Sequence, residues 1–214
     1  MKPTEKEITY QTTNSYSTLN TLSDSTKNVW FACHGMGYLS RYFLKYFAEL
    51  NPEENYIIAP QAQSKYYVSS RLKHVGASWL TKENTIKETE NVMRYLDAVL
   101  NAEHLSKNQN LIMLGYSQGV SVALRYIAKR QLRCSQIVMM SGGIPKELTA
   151  ADFKFLDPMT KISLIYGTND EYLDEDRLSL EKNRAFELFG HCELQIMPFD
   201  GKHEVNTSLI KQIA

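Results

Sequence analysis

The sequence predicts an α/β fold, a mostly parallel central sheet with helices packed on both of its faces. Three observations carry that expectation. Short apolar runs alternate with segments of helical period along the whole chain, as successive strand–helix–strand units do. The strand-like runs are continuously apolar, as in Val29-Trp30-Phe31-Ala32-Cys33, which a strand covered on both faces requires. Finally, Leu111-Ile112-Met113-Leu114 runs into Gly115-Tyr116-Ser117-Gln118-Gly119, and a small-residue helical pattern begins at once. That is strand, hard turn and helix with one hydroxyl at the apex.

Taken in order, residues 4–20 are rich in Thr, Ser, Tyr and Asn, with Ile8, Tyr10 and Leu19 as apolar points. They predict a pair of short edge strands. After the polar break Thr21 to Asn28, the Val29–Cys33 strand ends in His34-Gly35-Met36-Gly37. Leu39, Tyr42, Phe43, Tyr46, Phe47 and Leu50 fall at helical spacing, so a helix is expected over Tyr38–Leu50, stopped by Asn51-Pro52. Tyr56–Ala59 is the next buried strand. Pro60 to Thr81 keeps no period and reads as a long irregular connection, the kind that often walls a site.

Glu83 to His104, with Ile86, Val92, Met93, Leu96, Val99 and Leu100 on one face, is a long amphipathic helix. The elbow strand and its helix, Gln118 to Arg130, come next. Gln136–Met140 is a strand ending in Ser141-Gly142-Gly143, and Ile144 to Lys161 is a second irregular connection. Ile162–Gly167 is strand-like, Leu178–Phe189 helical with Gly190 suited to its C-terminal cap, Glu193–Met197 a shorter strand, and Val205–Ile213 a small terminal helix. No repeat or linker interrupts the pattern, so one domain over residues 1–214 is expected.

Composition narrows the function. With 24 basic and 24 acidic residues the formal net charge is zero, and nothing points to nucleic acid or an anionic membrane as a partner. No apolar run approaches the roughly 20 residues of a bilayer span, and Met1 to Gln11 has no signal-peptide core. A cytoplasmic protein without stable membrane insertion is expected. Cys33, Cys134 and Cys192 are odd in number and widely spaced, as suits reduced thiols acting as small hydrophobes. No His/Asp/Glu cluster has ligand spacing, so no metal is expected.

Reacting groups in such sheets collect at the carboxyl ends of the strands. Ser117 follows one strand, Gly167-Thr168-Asn169-Asp170-Glu171 another, and Asp200-Gly201-Lys202-His203-Glu204 the last. A serine hydroxyl is a poor nucleophile at neutral pH, so an imidazole must take its proton during attack and return it to the leaving group. A carboxylate then holds the imidazole tautomer and stabilises the imidazolium. The assignment is Ser117 nucleophile, His203 base and acid, and Asp170 orienting carboxylate. Glu171, Asp174 and Asp200 compete with Asp170, and His34, His74, His104 and His191 with His203. The oxyanion needs preorganised N–H donors; the backbone N–H groups of Gln118 and Met36 are expected to supply them. Gly35, Gly37, Tyr38, Tyr67 and Trp79 are candidate substrate-binding residues, and Met36, Tyr66, Phe153 and Phe155 join them as possible lining of an acyl pocket.

The strand–Gly-x-Ser-x-Gly–helix unit is the nucleophile elbow of an α/β-hydrolase, and the motifs together resemble the phospholipase/carboxylesterase family, acyl-protein thioesterases included. The resemblance runs from His34-Gly35-Met36-Gly37, similar to the family's His-Gly-x-Gly oxyanion turn, to Gly201-Lys202-His203, similar to its Gly-x-His. Between them stand Pro60-Gln61-Ala62, Ser78-Trp79, Gly115-Tyr116-Ser117-Gln118-Gly119 and Gly167 to Asp170. Tyr116 replaces the family's phenylalanine, Tyr38-Leu39-Ser40 stands where Asp-Thr/Asn is common, and Val120 where a second glycine is common. The resemblance implies an α/β-hydrolase fold without a large cap domain. It also implies cofactor-free hydrolysis of small-molecule or acyl-chain esters or thioesters. An acyltransferase or peptidase using the same three residues, and a non-catalytic binding module on the same fold, are the alternatives. The oligomeric state is left open.

Overall fold

The structure, a computed structural model, describes residues 3–214; the first two residues of the polar N-terminal segment lie outside it. A seven-stranded sheet organises the chain. Its strands in chain order are β1 (Tyr16–Leu19), β2 (Asn28–Cys33), β3 (Asn55–Pro60), β6 (Asn110–Tyr116), β7 (Gln136–Met140), β8 (Lys161–Gly167) and β9 (Glu193–Phe199). In space they lie β1-β3-β2-β6-β7-β8-β9, every neighbouring pair parallel except the antiparallel β1–β3 edge. Two further strands, β4 (Ser64–Tyr67) and β5 (Val75–Ser78), form a separate antiparallel hairpin. The helices are α1 (Ser40–Phe43), α2 (Thr85–Ala102), α3 (Gln118–Arg130), α4 (Glu175–Phe189) and α5 (Thr207–Gln212).

The continuous apolar strands are explained by two cores. Along β2, Val29, Phe31 and Cys33 join the core under α2, α3 and α4, while Trp30 and Ala32 join the one under α1 and α5. All five are fully buried, because successive side chains leave opposite faces of the pleat and both faces are covered. The sheet thus sandwiched sends β2, β6, β8 and β9 toward one rim by their carboxyl ends, and the loops there carry the chemistry.

Four expectations need correction. Residues 4–20 form one edge strand, not two: only Tyr16–Leu19 finds a partner, in β3, and residues 3–13 run exposed beside the domain. The helix expected over Tyr38–Leu50 is one α-turn, α1, continued by a tighter 3₁₀ turn over Leu44–Phe47. Its aromatic-rich sequence favours helix weakly, and Leu39 offers no capping side chain; the Ser40 N–H is satisfied by the Gln61 carboxamide oxygen at 3.0 Å. Packing of Phe43 and Phe47 onto Trp30 therefore decides the geometry, with Trp30 and Phe47 ring centres 5.7 Å apart. The irregular connection 60–81 contains the β4–β5 hairpin. Gly190 is the C-cap of α4 as expected, in right-handed helical conformation. Helix α4 also begins three residues before its expected start, since Asp174 caps it by accepting the Arg177 N–H at 2.8 Å.

Candidate active site

At the end of β6 the chain reverses into α3 through Ser117, whose φ of 52° and ψ of −119° lie outside the conformations L-residues favour. Such backbone strain costs on the order of 1–3 kcal/mol and persists only where its surroundings enforce it. The enforcement is visible. A side chain at Gly115 would collide with the Val120 and Gly119 backbone, and one at Gly119 with the Cys33 carbonyl. The Ser117 N–H is held by the Met140 carbonyl at 2.9 Å. Strand and helix can approach this closely only without those two side chains, and the approach puts the hydroxyl at the start of α3.

His203, in the loop after β9, and Asp170, in the turn after β8, meet that hydroxyl. The Ser117 Oγ lies 2.9 Å from His203 Nε2, and His203 Nδ1 lies 2.8 Å from Asp170 Oδ2. With the imidazole proton on Nδ1, donated to the carboxylate, Nε2 is left to accept the serine hydroxyl. The Asp170 side chain is fully buried, and its other oxygen accepts the Tyr172 N–H at 2.9 Å, so the carboxylate is fixed at both ends. The histidine is steadied from behind: Tyr116 Oη donates to the His203 carbonyl at 3.0 Å, and the Tyr172 ring stands edge-on to the imidazole with ring centres 4.7 Å apart.

The rival acids are engaged elsewhere. Asp174 caps α4, Asp200 accepts from the Asn169 carboxamide at 3.2 Å, and Glu171 is exposed.

The turn after β2 lies against the elbow, since a side chain at Gly35 would reach 3.1 Å from Ser117 Cβ. Among the described residues the backbone N–H groups of Met36 and Gln118 have no hydrogen-bond partner, whereas the Gly37 N–H is spent on the Ala77 carbonyl at 2.9 Å. The candidate substrate residues divide. Met36, Tyr66 and Tyr67 are exposed and Tyr38 half-buried, its ring edge-on to Tyr116. Trp79 and Phe153 do not line a pocket. Trp79 is 1 % exposed and donates its indole N–H to the His34 carbonyl at 2.8 Å, and Phe153 is fully buried against Phe189 with ring centres 4.6 Å apart. Both are large rings that the core absorbs. Phe155 is partly buried against the same core.

Two residues of the quoted motifs, Gln118 and His34, have side-chain roles that the sequence reading missed. The Gln118 side chain braces the far wall, accepting the Trp79 N–H at 2.8 Å and donating to the Leu80 carbonyl at 2.7 Å. His34, fully buried, accepts the Ala62 N–H at Nε2 (3.1 Å) and so carries its proton on Nδ1, 2.7 Å from the Gly35 carbonyl. It is a strut beneath the turn that follows β2, with both ring nitrogens engaged by backbone groups. Burial lowers its pKa to about 4, against the partial opposition of the Gly35 carbonyl.

That strut has a measurable signature. A histidine whose folded pKa lies below its usual 6.5 leaves the fold intact above that value and destabilises it as pH falls from 6.5 toward 4. At about 1.4 kcal/mol per pH unit the loss reaches roughly 3 kcal/mol. Urea unfolding across this window should show His34→Gln, which keeps one donor and one acceptor, with a shallower acid loss than wild type. Parallel stability curves for the two proteins would remove His34 from the explanation.

A mostly parallel sheet with a strained serine at a strand–helix elbow defines an α/β-hydrolase. Solved structures of the same fold include the acyl-protein thioesterase 2 of Zea mays (16 % identity, 94 % of this chain and 96 % of that one, TM-score 0.67). A phospholipase/carboxylesterase of Dyadobacter fermentans (16 %, 95 % and 97 %, 0.67) and the carboxylesterase of Bacillus cereus (14 %, 94 % and 91 %, 0.66) are similar to the same degree. No curated protein matches the sequence significantly. Residues 15–214 match the model of the phospholipase/carboxylesterase family, and the chain belongs to that family of hydrolases. Among the described residues no helix is long and apolar enough to cross a membrane.

Proposed function

We propose that this hydrolase cleaves carboxylic esters or thioesters through an acyl-enzyme on Ser117. The observation that carries the reading is the unbroken chain Ser117 Oγ to His203 Nε2 at 2.9 Å and His203 Nδ1 to Asp170 Oδ2 at 2.8 Å. As Oγ attacks the carbonyl carbon, its proton passes to Nε2, and Asp170 stabilises the imidazolium. The negative charge moves to the carbonyl oxygen, where the Met36 and Gln118 N–H groups and the start of α3 receive it. Collapse of this intermediate breaks the bond to the alcohol or thiol, which leaves with the proton from Nε2. Water then attacks the acyl carbon by the same route, giving up a proton to His203, and the carboxylic acid departs as Ser117 regains its hydroxyl.

The site opens at the sheet rim beside the exposed Met36 and Tyr172, a setting for acyl groups that water must also reach. Turnover of matched esters, thioesters and amides of increasing acyl length tests the reading. Ester or thioester turnover should exceed amide turnover by several orders of magnitude, and a fluorophosphonate probe should add to Ser117. Amides cleaved as fast as esters would replace the esterase reading with a peptidase.

A further inference from the structure

On the side of β6 away from β2 stands a charged pair that the chemistry of Ser117 does not use. Strand β7 flanks β6 there, and its carboxyl end runs into Ser141-Gly142-Gly143-Ile144. Gly142 lies against the elbow, since a side chain at that position would collide with the Ser117 carbonyl and the Val120 side chain. Gly143 stands one residue on, about 3.8 Å further along the Cα trace. It lies against Arg177 in the first turn of α4, where a methyl group on Gly143 would come 2.6 Å from Nη2. Two bare glycines therefore bridge the serine and a guanidinium.

A buried carboxylate aims that guanidinium. Glu181, one turn further along α4, is 2 % exposed. Its Oε1 accepts Arg177 Nε–H at 2.6 Å and its Oε2 accepts the Ile144 N–H at 2.7 Å. Both oxygens are engaged, and the loop after β7 and the guanidinium are tied to the same group.

Neutralising Glu181 accounts for a cation at position 177, but not for the rest of the fork. A guanidinium carries five N–H groups, and one of them meets Glu181. The four on Nη1 and Nη2 donate to no protein acceptor among the described residues. The acidic neighbours do not claim them: Asp174 caps α4, while Glu171, Glu175 and Asp176 are exposed and form no ion pair with Arg177.

We propose that Arg177 is an anion subsite selecting esters or thioesters whose acyl group ends in a carboxylate, a short dicarboxylic acyl group. The proposal rests on the acyl-enzyme reading of Ser117. In that reading the oxyanion turns to the N–H groups of Met36, on the β2 side of β6, and of Gln118. The leaving group faces His203 Nε2, in the loop leading to α5, on the opposite face of the sheet from α3 and α4. The direction left to the acyl chain runs over Gly142 and Gly143 toward Arg177. There a planar fork with two free Nη groups matches a carboxylate in two parallel hydrogen bonds.

Turnover of monoethyl glutarate against the ethyl ester of glutaramic acid, in which an uncharged carboxamide replaces the carboxylate, tests it. The ratio of the two kcat/KM values should be at least roughly tenfold in favour of the carboxylate. Both substrates are read on one preparation, so any loss of folded protein cancels. Arg177→Gln should bring the ratio close to one, and Arg177→Lys, which keeps the charge and loses the fork, should keep part of it. Gly143→Ala should lower it too, because the added methyl displaces the flexible tip of Arg177 and meets no backbone. A wild-type ratio near one overturns the proposal, as does a ratio that neither Arg177→Gln nor Gly143→Ala lowers. So does a carboxylate preference found only on the alcohol side, with the butyric ester of glycolic acid against that of glycolamide. Calorimetry separates this conclusion from the hydrolytic one. Ser117→Ala should bind monoethyl glutarate more tightly than the carboxamide analogue, and adding Arg177→Gln should abolish the difference. If wild type cleaved neither ester, the Ser117 reading would fail and the binding difference alone would decide on Arg177.

Discussion

Ser117→Ala should reduce ester turnover by about 10⁶-fold while leaving the fold and substrate affinity nearly unchanged. The magnitude follows from how the three groups act: nucleophile and base form one unit, and losing either forfeits most of what the set supplies. His203→Ala should therefore cost about as much, and the double variant little more than either alone. What survives would come from substrate binding and the N–H donors at Met36 and Gln118, which neither change touches. The methyl group of alanine occupies less space than the hydroxymethyl it replaces and relieves nothing at φ 52°, so the elbow and its strain remain. Turnover of Ser117→Ala within tenfold of wild type, measured with enzyme free of contaminating esterase, would sink the nucleophile assignment. So would costs for Ser117→Ala and His203→Ala that simply multiply in the double variant.

Asp170→Asn should lower kcat by about 10⁴-fold, as the same exchange does in serine proteases, because a carboxamide can donate to Nδ1 and favour the wrong imidazole tautomer. Here the effect should be sharp, since the Asp170 side chain is fully buried and one oxygen is already committed to the Tyr172 N–H. The carboxamide must place its NH₂ against one of two groups that now donate, so Nδ1 turns acceptor and Nε2 carries the proton it is meant to receive. Asp174→Asn is the matched control. Asparagine caps a helix as well as aspartate does, so α4 should keep its N-terminus and turnover should stay near wild type. If Asp174→Asn lost activity and Asp170→Asn kept it, the orienting acid would have been assigned to the wrong residue.

Particular residues explain why the candidate site was largely legible in one dimension. Gly115 and Gly119 mark the elbow because close approach of backbone to backbone leaves no room for Cβ, and that exclusion is written directly as residue type. Asp170 was ranked above Asp174 by its distance past β8, and the geometry accounts for both: one carboxylate turns inward to His203, the other caps a helix. The β4–β5 hairpin was not legible. Both faces of β4 are exposed, so no alternation of apolar and polar residues marks it, and its place is set by backbone bonds to Gly37 and Tyr38 that have no side-chain signature. Trp79 was misplaced for a related reason, since an aromatic ring suits a pocket wall or a core equally well until its neighbours are known.

By itself the sequence determined the layered α/β architecture, the elbow and the residue types of the candidate site, because periodicity, burial and glycine exclusion act within short stretches of chain. Only the tertiary structure decided which carboxylate reaches His203, that His34 braces the turn after β2, and that residues 64–75 stand out as one apolar, cationic surface. Those depend on contacts between distant segments, 33 positions apart for Asp170 and His203 and 28 for His34 and Ala62, and distance through space is set by packing, which no local pattern encodes.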